Sequence, residues 1–288
     1  MNITTKTKLN AVIGYPLAHS MSPLLHTTSY ASAGIDAIML AFPHPDVSAL
    51  VQAIRTLGIG LTAVTIPHKE SIIPYLDGLD DSAREVGAVN TVISENSMLR
   101  GYNTDVIGVE HALRGIDIAG KNTLILGAGG AARAVAVTLS KKKAAQYYWN
   151  RTPQKAQILA QQFGGTVLKT IEDVYKQPLD IIVNTTPIGM HPDSSASPLP
   201  GYHFEQYQKV MDCVYNPLET ALLKQARLAG AQTISGIEMF IAQGVEQIRL
   251  WSGIGVDPQE WREVLSSWPR PTAKAGQAGS DRILAKPE

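Results

Sequence analysis

The 288-residue sequence contains a single cysteine, Cys213, which excludes an internal disulfide and a cysteine-rich zinc site. Its seven histidines show no spacing typical of metal ligands, so we predict no metal centre. The 25 basic and 25 acidic side chains cancel, and net charge therefore favours neither nucleic acid nor an anionic membrane as a partner. No uninterrupted apolar run reaches the roughly 18–20 residues that a transmembrane helix needs.

The first six residues are polar and lack the apolar core of a signal peptide. Together with the scarcity of cysteine, this composition predicts a cytoplasmic globular protein. A chain of this length can form two modest domains, each with its own core. Residues 269–288 offer little to bury, so we predict a disordered tail there.

Short apolar runs alternate with helical patterns over the first third of the chain, which is typical of an α/β domain. We predict strands at Leu9–Ile13, Ala37–Phe42 and Gly60–Ile66, helices at Pro23–Ala33, Val47–Thr56 and Ile72–Leu79, and a hairpin of Ala88–Ile93 with Met98–Tyr102. Pro74 lies inside the third helix and leaves its start open. The first domain, residues 1–105, is expected to be completed by C-terminal helices at about 237–268.

Residues 106–236 form the second predicted domain, which begins with a connecting helix at Val106–Arg114. Its later strands are expected at Gly165–Val167, Ile181–Asn184, Lys209–Asp212 and Gln232–Ser235. Within this domain the apolar residues 124–126 are followed by a glycine-rich segment and then by a helical segment, Ala131–Ser140. This strand–turn–helix context is the one in which a glycine-rich turn binds a dinucleotide.

In that turn, Gly127 would form the tight bend, Gly129 would let a pyrophosphate approach the backbone, and Ala132 would permit close helix–strand packing. The free N–H groups of the helix start would face the phosphates. A glycine turn in an unrelated α/β domain is the alternative.

The next strand ends at Trp149, where NAD-binding chains carry an acidic residue for the ribose hydroxyl. Here Asn150, Arg151 and Thr152 follow, with Lys155 one turn further on. No carboxylate is present to repel a 2′-phosphate, and a guanidinium can bind it through two hydrogen bonds. The sequence therefore predicts NADP as the cofactor.

Two groups of polar residues in the first domain could bind a small molecule. Ser22 precedes Pro23, which is typical of an N-cap followed by proline at the first helical turn, and Ser20 adds a second hydroxyl at this helix start. Such a site suits a carboxylate, although Ser22 could simply cap its helix. Asn90 and Asp105 each lie at the edge of a predicted strand, where they could bind hydroxyls or serve only in turns.

Lys69 follows directly after a strand and could anchor an anion or donate a proton, although most lysines are solvated surface residues. A series of motifs surrounds it in a fixed order, at residues 20–23, 64–69, 87–91, 103–105, 127–132, 150–152, 184–190, 212–217 and 236–243. Each motif alone is common. In this order they resemble the shikimate dehydrogenase family, from about residue 9 to residue 265.

The resemblance implies reversible NADPH-dependent reduction of 3-dehydroshikimate to shikimate, in the pathway to aromatic amino acids. It also implies an N-terminal α/β substrate domain, a Rossmann-type NADP-binding domain and an active site in the cleft between them. Lys69 and Asp105 would be the catalytic pair. The residues that would bind substrate are Ser20, Ser22, Thr65, Lys69, Asn90, Asp105, Tyr215 and Gln243.

The resemblance further implies cofactor contacts at the glycine turn, at the segment after Trp149 and at two later strand ends. These are Gly127, Ala128, Gly129, Gly130, Ala131, Asn150, Arg151, Thr152, Pro153, Gln154, Lys155, Cys213 and Gly236. Asp81 is added on spacing alone. Cys213 is expected to be an apolar lining residue and not a nucleophile, because no basic partner is evident.

The chain departs from the family pattern at Ala63, where an asparagine usually precedes Val64 and Thr65. Ala63 and Thr65 share a strand face, and a lost polar partner costs about 1–3 kcal/mol. A quinate/shikimate dehydrogenase of broader specificity is therefore one alternative, although Arg151 argues against NAD. A second alternative is a catalytically silent NADP-binding regulator, but a protein of that kind would not need the pair of Lys69 and Asp105. Monomer and homodimer both stay open.

Overall fold

The computed structural model describes residues 2–17 and 20–267, which contain two six-stranded sheets. The elements of the first part of the chain are β1 Lys8–Gly14, α1 Ser22–Ser32, β2 Ala37–Pro43, α2 Val47–Leu57, β3 Leu61–Val64, α3 His68–Ser71, β4 Gly78–Leu79, α4 Asp81–Val86, β5 Thr91–Glu95 and β6 Met98–Tyr102. Their strands form the first sheet in the order β2-β1-β3-β5-β6-β4. The predicted α/β fold class is confirmed.

The remaining elements are α5 Asp105–Ala112, β7 Asn122–Leu126, α6 Gly130–Lys141, β8 Ala145–Trp149, α7 Pro153–Phe163, β9 Thr166–Val167, α8 Ile171–Tyr175, β10 Ile181–Asn184, β11 Lys209–Asp212, α9 Ala221–Leu228, β12 Gln232–Ser235, α10 Gly236–Ser252 and α11 Pro258–Ser267. The second sheet has the order β12-β11-β10-β7-β8-β9, and all its paired strands are parallel. This is the doubly wound order of a dinucleotide-binding fold, with its switch point between β7 and β10. The predicted tail at 269–288 lies outside the described residues.

Strand direction places the polar segments of the first sheet at one edge. Strands β1 and β3 are parallel, whereas β5 runs antiparallel to β3 and β6 runs antiparallel to β5. The carboxyl ends of β1, β3 and β6 therefore meet the amino end of β5. Ser20, Thr65, Asn90 and Asp105 all lie just beyond these strand ends.

Burial explains why the central strands of the second sheet contain consecutive apolar residues. Leu124, Ile125 and Leu126 in β7 are fully buried, as are Ile182 and Val183 in the neighbouring β10. Helices cover both faces of a parallel sheet, so its strands need not alternate with polar residues. Among the residues that the structure describes, no helix has the length and apolarity to cross a membrane.

The helix predicted at Ile72–Leu79 is wrong. The chain there forms a short helix that ends at Ser71, a 3₁₀ turn at Ile73–Tyr75 and the two-residue strand β4. Pro74 has no N–H and cannot continue a helix, and the Asp77 carboxylate accepts a hydrogen bond from the Leu99 backbone at the sheet edge. The apolar residues of this segment therefore reach the core from a turn, a 3₁₀ turn and a short strand, and not from one face of a continuous helix.

The expected cap of the first helix is also displaced by one residue. Helix α1 begins at Ser22, and Met21 occupies the cap position without a side-chain hydrogen bond to the helix. Ser22 is therefore the first helical residue, and Pro23 still lies in the first turn, where its missing N–H costs nothing. The Ser20 hydroxyl accepts a weak 3.4 Å hydrogen bond from the Ser22 backbone.

Helices α5 and α10 pack closely against each other because residue 108 is a glycine. A β-carbon at Gly108 would lie 2.6 Å from the Met239 carbonyl oxygen and 3.3 Å from the Gln243 β-carbon. Helix α5 begins with Asp105 at the edge of the first sheet, and α10 begins at the edge of the second. The contact therefore fixes the relative position of two helices, one of which begins at each sheet edge.

We expect Gly108→Ala to lower the melting temperature by several degrees, because its added methyl group meets backbone that cannot move aside. Overpacking of this kind costs about 1–3 kcal/mol, and each kcal/mol shifts Tm by about 2–4 °C in a chain of this size. Differential scanning calorimetry would measure the shift. Ile107→Ala, at an exposed position of the same helix, is the control and should change Tm little. Equal Tm values for the two variants would contradict the close packing.

Candidate active site

A buried ion pair lies at the edge of the first sheet. Lys69 Nζ is 2.5 Å from Asp105 Oδ2, and the two side chains are only 15% and 5% exposed. Helix α3 supplies the lysine, and its position is fixed by the Val89 backbone N–H, which donates to the Lys69 carbonyl at 2.7 Å. The predicted catalytic residues are therefore in direct contact, with the ammonium next to a carboxylate instead of in bulk water.

Asn90 connects this pair to the rest of the predicted substrate site. Its Nδ2 donates to Asp105 Oδ1 at 2.9 Å, to Thr104 Oγ1 at 2.9 Å and lies 3.2 Å from Gln243 Oε1. Its Oδ1 accepts from the Thr104 backbone and from the Thr91 hydroxyl. With all its polar atoms engaged, the Asn90 side chain is held in one orientation beside Asp105.

The remaining predicted substrate residues lie around the same edge. Thr65 follows β3 and is partly exposed, as is Ser20, whereas Ser22 is buried at the start of α1. Tyr215 stacks on Phe240, with ring centroids 4.1 Å apart and planes 11° from parallel. Burial raises the pKa of Tyr215 to about 12, so its hydroxyl stays protonated at neutral pH and can donate a hydrogen bond.

The edge of the second sheet has the geometry of a dinucleotide site. Gly127 follows β7 with φ +106°, a conformation that favours glycine, and a β-carbon there would lie 2.5 Å from Thr185 Oγ1. A β-carbon at Gly129 would meet no atom within 4 Å, so this position is open to an approaching group. Helix α6 begins at Gly130 and presents its free N–H groups there.

Arg151 lies beyond the end of β8, at the place where a ribose 2′-substituent would be. It is exposed, and no described residue forms an ion pair or hydrogen bond with its guanidinium. Asn150 Nδ2 donates to the Thr152 carbonyl at 2.8 Å and shapes the turn, and helix α7 then begins at Pro153. The exposed guanidinium and the absence of a carboxylate from residues 150–155 fit a 2′-phosphate, and hence NADP.

Lys69 also contacts the glycine turn of the second sheet. A β-carbon at Gly130 would lie 2.9 Å from Lys69 Cδ and 3.0 Å from its Cβ. The next residue, Glu70, places a carboxylate oxygen 3.3 Å from Arg133 Nε on α6. Helix α3 therefore packs directly on the start of α6, which brings the ion pair to the cofactor edge.

Cys213 and Gly236 lie together at the ends of β11 and β12. A β-carbon at Gly236 would be 2.7 Å from the Cys213 carbonyl oxygen, so only glycine allows α10 to begin so close to β11. Burial raises the pKa of the Cys213 thiol well above its usual range, and the carboxylates of Asp212 and Asp105 raise it further. This thiol is protonated and a poor nucleophile, in agreement with the lining role that we expect.

The described contacts do not bring Asp81 near the catalytic pair or the glycine turn. It starts α4, its side chain is fully exposed, and it pairs with Arg84 at 2.8 Å. Its cofactor contact stays a prediction.

Sequence reasoning did not identify two further buried residues beside the site. Gln247 bonds to the Asn90 carbonyl and the Thr91 hydroxyl, and Asp212 accepts hydrogen bonds from Asn184 and Thr220. Burial raises the pKa of Asp212 to about 6. A second glutamine four residues after Gln243 on an apolar helix was the available signal for Gln247.

Comparison with known proteins gives the same assignment over both sheets. Residues 12–92 match the family model of the shikimate dehydrogenase substrate binding domain, and residues 110–188 match that of shikimate / quinate 5-dehydrogenase. A shikimate dehydrogenase (NADP(+)) of Methanothermobacter thermautotrophicus is 42% identical over 266 residues, which cover 87% of this chain and 93% of the relative. The chain belongs to the shikimate dehydrogenase family.

Solved structures of shikimate dehydrogenases superpose on the whole fold. The Aquifex aeolicus enzyme gives a TM-score of 0.85 at 38% identity, covering 91% of this chain and 98% of that one. The Thermus thermophilus enzyme in complex with NADP(H) and shikimate gives 0.81 at 35% identity, covering 90% and 98%. The expected family and its two-part architecture are confirmed.

We expect Gly130→Ala to lower kcat by about 10- to 100-fold, because the new methyl group displaces the Lys69 side chain by a few tenths of an ångström or more. Nicotinamide absorbance would give kcat, and Tm should hardly change because alanine favours a helix.

Gly129→Ala is the matched comparison, since its methyl group meets no protein atom. It should raise KM for the dinucleotide and leave Lys69 in place. A Gly130→Ala variant with wild-type kcat would show that the contact does not position the lysine.

Proposed function

We propose that this chain catalyses the reversible NADPH-dependent reduction of 3-dehydroshikimate to shikimate, a step in the biosynthesis of aromatic amino acids. The observation that carries the proposal is the buried Lys69–Asp105 pair, whose lysine lies against Gly130 of the dinucleotide turn. An acid–base group is thereby placed where a cofactor and a ring substrate would meet. The single cysteine is compatible with a reducing cytoplasmic location.

Lys69 and Asp105 are the catalytic residues of this proposal. When NADPH is bound, it supplies the hydride for the ring carbonyl. Negative charge grows on the carbonyl oxygen, and the Lys69 ammonium stabilises it and delivers a proton. In the reverse direction the neutral amine accepts that proton. Asp105 holds the Lys69 Nζ and can also accept a hydrogen bond from a neighbouring ring hydroxyl.

The substrate is held by its carboxylate at one end and by its ring hydroxyls at the other. Ser20 and Ser22 bind the carboxylate at the start of α1, where the first-turn N–H groups of the helix favour an anion. Thr65, Asn90, Tyr215 and Gln243 surround the ring together with the catalytic pair. All are neutral groups that hydrogen-bond without competing with Lys69 for the proton.

NADP binds along the edge of the second sheet. Residues 127–131 would hold the pyrophosphate and Asn150–Lys155 the 2′-phosphate, with Arg151 as its main partner, and Cys213, Gly236 and Asp81 would lie at the nicotinamide end. This arrangement is supported by the open position at Gly129 and by the exposed Arg151 guanidinium. The partners of the chain are thus small molecules, and we propose a monomer or a homodimer.

A broader-specificity enzyme that also accepts quinate is the second candidate. Ala63 is buried among apolar side chains that include Met21 and Phe240, so it offers no hydrogen bond where the family usually has an asparagine. Such a site discriminates less between rings that differ in one hydroxyl.

The experiment that tests the function measures nicotinamide absorbance with shikimate or quinate, each with NADP or NAD. We expect rapid turnover with shikimate and NADP, because Arg151 selects the 2′-phosphate. Turnover with quinate or NAD would favour the broader enzyme. Binding of NADP with no turnover in any pairing would favour a silent regulator and contradict the proposal.

We expect Lys69→Ala to lose about 10²–10⁴ in kcat, the usual contribution of general acid–base catalysis, with little loss of shikimate affinity. Stopped-flow or steady-state absorbance gives kcat, and isothermal calorimetry gives the affinity.

Lys69→Arg is the matched control, because it keeps the positive charge but does not release a proton near neutral pH. It should also be slow. If kcat of the Lys69→Ala variant were within a few-fold of the wild-type value, Lys69 would have no part in the mechanism.

A further inference from the structure

Gln247 lies one helical turn beyond Gln243 on α10 and is only 2% exposed. Its Nε2 donates to the Asn90 carbonyl at 3.2 Å and to the Thr91 hydroxyl oxygen at 2.9 Å. Thr91 in turn donates to Asn90 Oδ1 at 2.8 Å. Gln247 therefore holds both the backbone and, through Thr91, the side chain of Asn90.

The other end of the Gln247 amide contacts His26, which is completely buried on α1. His26 Nε2 lies 3.1 Å from Gln247 Oε1, and Nδ1 lies 2.9 Å from the Ser22 carbonyl oxygen, one turn earlier in the same helix. An unbroken series of contacts thus runs from Ser22 through His26 and Gln247 to Asn90. It lies behind the proposed site and joins the carboxylate end to the hydroxyl end.

His26 acts in this series by hydrogen bonding and not by charge. Burial lowers its pKa to about 4, so the ring is neutral near pH 7 and carries one N–H. With the proton on Nε2, the ring donates to Gln247 Oε1. With the proton on Nδ1, it donates to the Ser22 carbonyl instead. Gln247 links His26 to the Asn90–Thr91 segment in the first arrangement, in which its Nε2 donates to the Asn90 carbonyl and the Thr91 hydroxyl.

The Asn90 side chain cannot take over the contacts of the Gln247 amide. The Asn90 side chain is already bonded to Thr104, Asp105 and Gln243, and so has no spare atom with which to fix its own backbone. The aromatic rings of Tyr30 and Trp261 pack on His26 and exclude solvent from that end. The Asn90 carbonyl also accepts a hydrogen bond from the Val64 backbone at 2.7 Å, and the Thr91 hydroxyl keeps its bond to Asn90 Oδ1. Loss of the Gln247 amide would remove the hydrogen bonds that tie this segment to α10, and the segment would be free to shift relative to that helix.

We propose that Gln247, supported by His26, is a positioning residue that sets the orientation of Asn90 toward the substrate ring and couples it to the carboxylate site at Ser22. This inference rests on the proposed function, since it assigns Asn90 and Ser22 to substrate binding. It adds a specificity-determining contact that touches neither substrate nor cofactor.

The test is Gln247→Met, which keeps the length and apolar stem of the side chain but removes both hydrogen-bonding atoms. We expect KM for shikimate to rise by about tenfold, in line with the loss of one buried hydrogen bond, while KM for NADP stays within twofold. Ile248→Val is the matched control at the adjacent, fully buried position. Ile248→Val should lower Tm and change neither KM. A Gln247→Met variant that behaved in the same way would show that the role of Gln247 is merely structural.

A double-mutant cycle consists of the wild type, Gln247→Met, His26→Phe and the double variant His26→Phe/Gln247→Met. If His26 acts through Gln247, the double variant should have the same KM for shikimate as Gln247→Met alone. Additive increases, or an unchanged KM in Gln247→Met, would overturn the inference. Turnover by the wild type tests the proposed function separately. The expected ratios of variant KM to wild-type KM apply to shikimate or to quinate, whichever the wild type oxidises. A wild type that oxidises neither acid would overturn both.

Discussion

The Lys69 side chain packs against the backbone of Gly130 and so connects the two sheet edges. No β-carbon fits between them, so the aliphatic stem of the lysine lies directly on the first turn of α6. The ammonium at the end of that stem is held by Asp105, which belongs to the first turn of α5. One side chain therefore takes part in both the packing of the two sheets and the chemistry proposed at their junction.

The polar groups around this junction are organised so that each one limits the movement of the next. Asp105 receives Lys69 on one carboxylate oxygen and Asn90 on the other. Asn90 is fixed by Thr104 and Thr91 from its own sheet and by α10 from behind. Because these groups are buried, a misplaced member would leave others without partners, and this cost keeps the whole arrangement in a single geometry.

Much of this arrangement could be predicted from the sequence, because strand ends and glycine turns are local features. The glycine segment at 127–130, the basic segment after Trp149 and the polar residues after each strand were all recognisable from their neighbours. Helix periodicity was a poorer guide at Ile72–Leu79, because the same apolar spacing also suits the 3₁₀ turn around Pro74 and the short strand that follows it. The position of the Ser22 cap depends on backbone angles that composition does not specify.

Other features depend on tertiary contacts that a single sequence does not encode locally. Gln247 meets Asn90 across more than 150 residues of chain, and only the packing of α10 under the first sheet brings them together. The contact of Lys69 with Gly130 likewise requires both sheets to be in place. Asp81, which was matched by spacing alone, lies exposed on α4, and its cofactor contact stays a prediction.

Helix α10 has 17 residues, about 25 Å of rigid rod, and it begins at Gly236 beside the cofactor edge. It passes Gln243 and Gln247 under the ring site and reaches the far side of the first sheet, where Trp251 lies against Gly60. A ligand that shifts the first turn of this rod must also shift its middle. Such a shift would link the two sites, and the linkage would be reciprocal: by whatever factor the dinucleotide changed affinity for the ring acid, the ring acid would change affinity for the dinucleotide by the same factor.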